Sequence, residues 1–157
     1  MSKDSRTFYL EERLIDFAVP IIRTAESLPK TKAGNHIAGQ LIRCGTSPAP
    51  NYGEAQRAES RSDFIHKMKA SLKELGETRI WLLMLVKASL VKPLSKLEPL
   101  IKENNELISI FVKSVDTASK RIRKPHNSKL WIKHQDSPME ERLRRLEFLV
   151  RYSILKV

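Results

Sequence analysis

The sequence predicts an all-α fold, an antiparallel up-down four-helix bundle with an additional C-terminal amphipathic helix. Apolar residues recur at spacings of three and four along four long stretches, the mark of helices that each bury one stripe. The connections between those stretches are short, which favours antiparallel neighbours. Only five glycines are present among 157 residues, and β-branched residues do not cluster as they would in strands.

The first helix is expected from about Phe8 to Leu28, with Leu10, Leu14, Phe17, Ile21, Ala25 and Leu28 on its buried stripe. Pro20 lies inside it and should kink it, because proline removes a backbone donor and crowds the carbonyl four residues back. "LPKTKAGN" reads as a loop with Pro29 and Gly34 as breakers, after which the second helix opens near Asn35 as cap. Its stretch "RCGTSPAPNYGEAQRAES" places Pro48 and Pro50 in the middle of an otherwise helical pattern. An unbroken helix would carry two interior prolines at a cost of about 3 kcal/mol each. The cheaper solution is a bend near Thr46, with Ser47 capping a new turn and Pro48 at its first position, where the missing N–H costs nothing.

The third helix should start after "RAESRSD", with Ser60 and Asp63 spaced as a capping box. Phe64, Met68, Leu72, Leu75, Leu82 and Leu85 or Val86 form its expected stripe, widened by Ile80, Trp81 and Leu83 so that its C-terminal half is buried on more than one side. Gly76 inside it would let a neighbouring helix approach. The fourth helix runs from about Leu97 to Ile122, burying Leu97, Leu100, Ile101, Asn104, Leu107, Ile108, Phe111, Val115 and Ala118. Residues 1–124 thus form the bundle, 125–138 a basic linker, and 139–157 a final amphipathic helix. That last helix is announced by Ser137 as cap, Pro138 at its first position and Glu140 completing the box. Its apolar stripe needs something to dock on.

Charge narrows the function. The chain holds 29 basic and 18 acidic side chains, a net of +11. Residues 1–116 contribute 18 and 14 of these and residues 117–157 contribute 11 and 4, so the tail carries most of the excess. Such a field favours a polyanion. Lys120, Arg121, Arg123 and Lys124 make a run at the end of the fourth helix, while Lys129, Trp131 and Lys133 interleave an aromatic with cations, as base-stacking surfaces do. Arg142, Arg144 and Arg145 add charge on the last helix. These ten residues are the candidate contacts to RNA or DNA. The blander readings are cations paired with a helix C-terminus and Trp131 as an apolar anchor.

Catalytic chemistry finds little support. The four histidines (His36, His66, His126 and His134) have no partner at zinc-ligand spacing, and the scattered glycines make no phosphate loop. Asp63 and His66 have the spacing of one half of a di-iron pair, but a second such pair is missing. No cofactor or metal is expected, and no catalytic residue is assigned. One cysteine, Cys44, makes no internal disulfide, the N-terminal stretch lacks a signal-peptide core, and the apolar run Ile80–Val86 is too short for a bilayer. A cytoplasmic, non-enzymatic protein with no membrane contact is the expectation.

The motif Q-L-x-R-x-x-T-S-x-x-x-N-Y-x-E-A, at Gln40, Leu41, Arg43, Thr46, Ser47, Asn51, Tyr52, Glu54 and Ala55, is followed by S-R-x-D-F-I-x-K at Ser60–Lys67. Then come E-x-x-E-T-x-x-W-L at Glu74–Leu82 and "LEPLIKENNELISIFVKSV" in the last bundle helix. In this order they resemble the four-helix-bundle proteins encoded in intervening sequences of bacterial 23S ribosomal RNA genes, over roughly residues 8–124. The resemblance implies a small antiparallel bundle, assembly into a pentameric homo-oligomer, basic surfaces for RNA or DNA, and no catalytic residues. A related group acts beside the reverse transcriptase of diversity-generating retroelements, so an accessory or adaptor role for a reverse-transcriptase partner is the alternative. Arg43, Asn51, Glu54, Glu74 and Glu77 are then read as a polar set for assembly. Arg43 and Glu54 lie too far apart on one helix to pair, so each needs another partner, with one across a subunit boundary as the natural candidate.

Overall fold

The computed structural model describes residues 3–122, with side chains described over residues 9–120. Five helices make up this part: α1 (Lys3–Glu26), α2 (Lys32–Thr46), α3 (Pro48–Gln56), α4 (Arg61–Lys87) and α5 (Glu98–Ile122), with a short 3-10 turn at Leu94–Lys96 before α5. α2 and α3 together occupy one position of a four-helix bundle. The order around the bundle is α1, α2/α3, α4, α5, and α5 closes back onto α1 across the sparsest of the four seams. The predicted C-terminal helix lies outside the described residues.

The stripes of α1 and α5 follow the expected spacing. Leu14, Phe17, Ile21, Ala25 and Leu28 are buried, as are Leu97, Leu100, Leu107, Ile108, Phe111 and Val115. α1 runs through Pro20 as one helix and begins earlier than expected, at Lys3.

The second helix differs from expectation at its start. Its cap is Thr31, not Asn35: the Thr31 hydroxyl oxygen accepts from the Gly34 N–H at 3.1 Å. Gly34 is therefore a first-turn residue rather than a breaker. A Cβ there would lie 2.0 Å from the Pro29 carbonyl oxygen, so the tight connection needs a residue with no side chain. Farther along, a Cβ at Gly45 would lie 2.5 Å from Ile21 Cγ2, so α1 and α2 approach closely there.

The bend falls where the prolines predict it, and Pro48 opens α3. Ser47, however, does not cap. Its backbone is αR (φ −60°, ψ −29°), and its hydroxyl donates back to the Arg43 carbonyl at 2.6 Å. Pro48 and Pro50 leave the carbonyls of Cys44 and Thr46 without their usual donors, while Ser47 keeps its own N–H bond to Arg43 and accepts one from Asn51. Helical dihedrals carried through the junction give a bend instead of a break.

α4 starts at the predicted cap, with Ser60 accepting from the Asp63 N–H at 3.1 Å. Its buried stripe is rotated from the expected one: Ile65, Met68, Ser71, Leu75, Thr78, Leu82 and Leu85 face inward, and Phe64 and Leu72 are half-buried. Ser71 and Thr78 enter the core because their hydroxyls bond carbonyls of their own helix, Lys67 at 3.3 Å and Glu74 at 2.8 Å. Ser71 also reaches the Pro48 carbonyl at 3.3 Å, tying α4 to the bend. The C-terminal half of α4 is not enclosed on several sides, since Ile80 and Met84 are 48% and 43% exposed. Among the described residues nothing lies within 4 Å of a Cβ placed on Gly76, so no described helix approaches it. The helix ends with Ser89 at φ 52°, where Leu90 N–H bonds the Leu85 carbonyl and Ser89 N–H that of Val86.

Candidate functional site

Among the described residues, polar side chains tie three of the four seams. On the α2–α4 surface, Arg43 donates to Glu74 at 3.2 Å and to Glu77, and Lys73 lies 3.6 Å from Glu77. These carboxylates hold the Arg43 guanidinium above its ordinary pKa. On the α3–α4 surface Glu54 pairs with Lys67, which is likewise raised. Arg43 and Glu54 thus find their partners inside the chain, and neither needs one across a subunit boundary. The helices that close over α2/α3 supply acids and bases that a single-helix reading could not see. Asn51 is half-buried, and its side chain makes no hydrogen bond among the described residues.

The sequence reading missed Arg13. It donates to Glu103 through Nε and Nη2, the latter at 2.9 Å, and to Glu106 at 2.6 Å, clamping α1 to α5. The nearer of its two partners is 90 positions away in the chain, and ion pairing between helices leaves no periodic trace. Arg79 bonds Asn105 Oδ1 at 3.0 Å across α4 and α5.

Inside the bundle, Asn104 is fully buried, and its amide nitrogen donates to the Leu75 carbonyl at 3.0 Å. Cys44 is also fully buried, beside α4, and its thiol lies 3.8 Å from the Leu41 carbonyl. Burial pushes that thiol's pKa up. The unfolded chain therefore loses the thiol proton first, and stability should fall as pH rises beyond the ordinary thiol value of about 8.5. Cys44 is expected to resist a thiol reagent in native protein at mildly alkaline pH and to react at once in denaturant. The parent should also lose more stability than Cys44→Ala between neutral and alkaline pH. Rapid native labelling would show an accessible thiolate.

Of the candidate nucleic-acid contacts, Lys120 is exposed on α5 and pairs with Asp116 at 2.7 Å. Arg121 lies in the last turn of α5. Arg123, Lys124, Lys129, Trp131, Lys133, Arg142, Arg144 and Arg145 lie outside the described residues. A groove of about 640 Å³ runs along α1 and the start of α5, lined by Tyr9, Arg13, Pro20, Arg23, Lys96 and Glu103 among others. Arg13 and Glu103 on its facing walls already bind one another, which suits a seam between helices more than a small-molecule pocket. Among the described residues, no group of three or more His, Cys, Asp or Glu is placed to hold a metal ion. Among them, too, no helix is long and apolar enough to cross a membrane.

Four antiparallel helices, the second bent at a proline pair and three of the four seams pinned by polar side chains, define a small helical-bundle protein. The chain belongs to the 23S rRNA-intervening sequence protein family, whose model matches residues 10–113. It is similar to the crystal structure of a protein of unknown function from the S23 ribosomal protein family of Bacteroides thetaiotaomicron VPI-5482. The two share 28% identity and a TM-score of 0.62 over 67% of this chain and 96% of that one. No curated protein matches the chain.

Proposed function

We propose that this chain is a non-enzymatic, homo-oligomeric bundle protein that binds RNA or DNA through the phosphate backbone, with little sequence preference. The observation that carries this reading is the charge of residues 117–157, 11 basic against 4 acidic side chains. Contacts of that kind act through counterion release and weaken steeply with salt. Assembly is supported by α1, which exposes Ile15, Val19 and Ile22 at one-turn intervals, 45%, 40% and 36% exposed. A second copy is the natural cover for such a line, and each added copy would repeat the basic segment and raise avidity. The polar set Arg43, Asn51, Glu54, Glu74 and Glu77 stays part of this assembly proposal, and in it Asn51 is the member whose side chain makes no hydrogen bond among the described residues.

The test is fluorescence anisotropy of labelled RNA and DNA oligonucleotides, titrated with the full chain across a salt series. The comparison is a full-length variant with Lys129, Lys133, Arg142, Arg144 and Arg145 changed to Gln. Each lost phosphate contact should reduce the log–log salt slope by about 0.7–0.9. Failure of the parent to bind either oligonucleotide at low salt would overturn the reading and leave the adaptor role.

A further inference from the structure

Linear counting places a net charge of +4 in residues 1–116, which looks like a thin, even excess. The fold distributes it otherwise. The α1–α2 connection and the α4–α5 connection lie at the same end of the bundle. His36 in the first turns of α2 meets Trp81 near the end of α4, edge to face at 5.8 Å between ring centroids. Arg23 and Thr24 at the end of α1 line one groove with Lys96 and Pro99 at the start of α5. Two segments meet at this end, residues 23–32 and 87–98. They hold Arg23, Lys30, Lys32, Lys87, Lys92 and Lys96, against Glu26 and Glu98 alone. Of the 18 basic and 14 acidic side chains in residues 1–116, six and two therefore belong here, and twelve of each remain for everything else. The whole excess of residues 1–116 sits at one end of the bundle.

All six cations are exposed, and none makes an ion pair among the described residues. Elsewhere on the bundle Arg13, Arg43, Lys67, Lys73 and Lys120 have carboxylate partners, while Arg57, Arg61, Lys69, Lys102 and Lys113 make no ion pair among the described residues but lie scattered along the chain, in α4, α5 and the α3–α4 connection. Helix stability does not account for the cluster. Arg23 and Lys87 stand in last turns, where the helix dipole favours a cation. Lys30 and Lys32 flank the start of α2, whose first turn contains no acid, and there the dipole disfavours them. Six like charges gathered against two carboxylates, neither of which pairs with them among the described residues, repel one another, which is a cost that an anionic partner removes.

We infer that this end of the bundle, carried by Lys30, Lys32, Lys92 and Lys96, is a second phosphate-backbone contact surface, made of residues other than the C-terminal cations. The inference rests on the nucleic-acid reading above and adds a place in the folded bundle to it. Lysine ammonium groups of this kind take up phosphodiester charge, which is common to RNA and DNA.

The experiment uses three full-length proteins in the same salt-series anisotropy titration, with a labelled single-stranded RNA and a labelled DNA duplex as probes. They are the parent, an end variant (Lys30, Lys32, Lys92 and Lys96 to Gln) and a dispersed variant (Arg61, Lys69, Lys102 and Lys113 to Gln). The two variants carry the same net charge, and circular dichroism melts check that each is folded. The end variant is expected to bind about 10- to 100-fold more weakly at low salt and to lose about 3 from the salt slope, as four phosphate contacts require. The dispersed variant should stay within a few-fold of the parent. Equal losses in both variants would make the effect one of net charge and overturn the inference. An end variant that binds like the parent would overturn it too, while leaving the nucleic-acid reading in place. A parent that binds neither probe would remove both.

Discussion

Phe111→Ala is expected to destabilise the protein by about 3–5 kcal/mol, the usual cost of emptying a buried aromatic site. Phe111 is fully buried at the middle of α5, and its ring meets Tyr52 of α3 edge to face, 5.9 Å between centroids and 72° between planes. α3 and α5 occupy opposite corners of the bundle, so this contact crosses the interior and holds the bent helix against the helix it does not flank. Truncation removes the transfer energy of the ring, leaves a cavity between helices that cannot collapse independently, and forfeits the aromatic contact. Urea denaturation followed by helical circular dichroism, at one protomer concentration so that any self-association is held constant, measures it. A loss below about 1.5 kcal/mol would mean that the site repacks freely and that Phe111 is not central to the core. Tyr52→Phe is the milder companion, because it keeps the ring.

Much of this core is legible in the sequence. In α1 and α5 the apolar residues alone trace the buried stripe, because those helices bury little but hydrocarbon. α4 was misread for a physical reason: at Ser71 and Thr78 small hydroxyl residues occupy core positions, their polarity absorbed by carbonyls of their own helix. A hydropathy reading then shifts the stripe sideways onto Phe64 and Leu72. The bend at Ser47 was legible because proline chemistry is local, and the Ser60 cap for the same reason. The ion pairs were not. Arg43 with Glu74 and Arg13 with Glu103 are 31 and 90 positions apart, and only the register of packed helices brings them together. The cationic end hid in the same way. Its two halves lie in different connections, and counting charge along the chain spreads over 116 residues what the fold gathers at one end.

The α1–α2 connection carries two of those cations, and its geometry depends on one glycine. Gly34→Ala is expected to cost about 2–4 kcal/mol, combining the strain of an over-packed site with loss of the helix cap. The atom in the way is the Pro29 carbonyl oxygen, 2.0 Å from the new Cβ, and it belongs to the backbone, which cannot step aside like the end of a flexible side chain. Relief requires opening the turn, and that withdraws the Gly34 N–H from Thr31, whose hydroxyl also lies 3.3 Å from the new Cβ. Gly39→Ala, five positions farther along the same helix, has the opposite expected sign. Nothing lies within 4 Å of a Cβ there and the position is exposed, so alanine should stabilise by about 0.5–1 kcal/mol through its better helix propensity. The pair separates local geometry from propensity, because the chemical change is identical. Urea midpoints moving in opposite directions are the expected result. A Gly34→Ala protein as stable as the parent would mean that the turn adapts without strain. The positions of Lys30 and Lys32 would then not be set by it. If the turn does hold them, Gly34→Ala should also weaken oligonucleotide binding under conditions where the variant is fully folded, and Gly39→Ala should leave it unchanged.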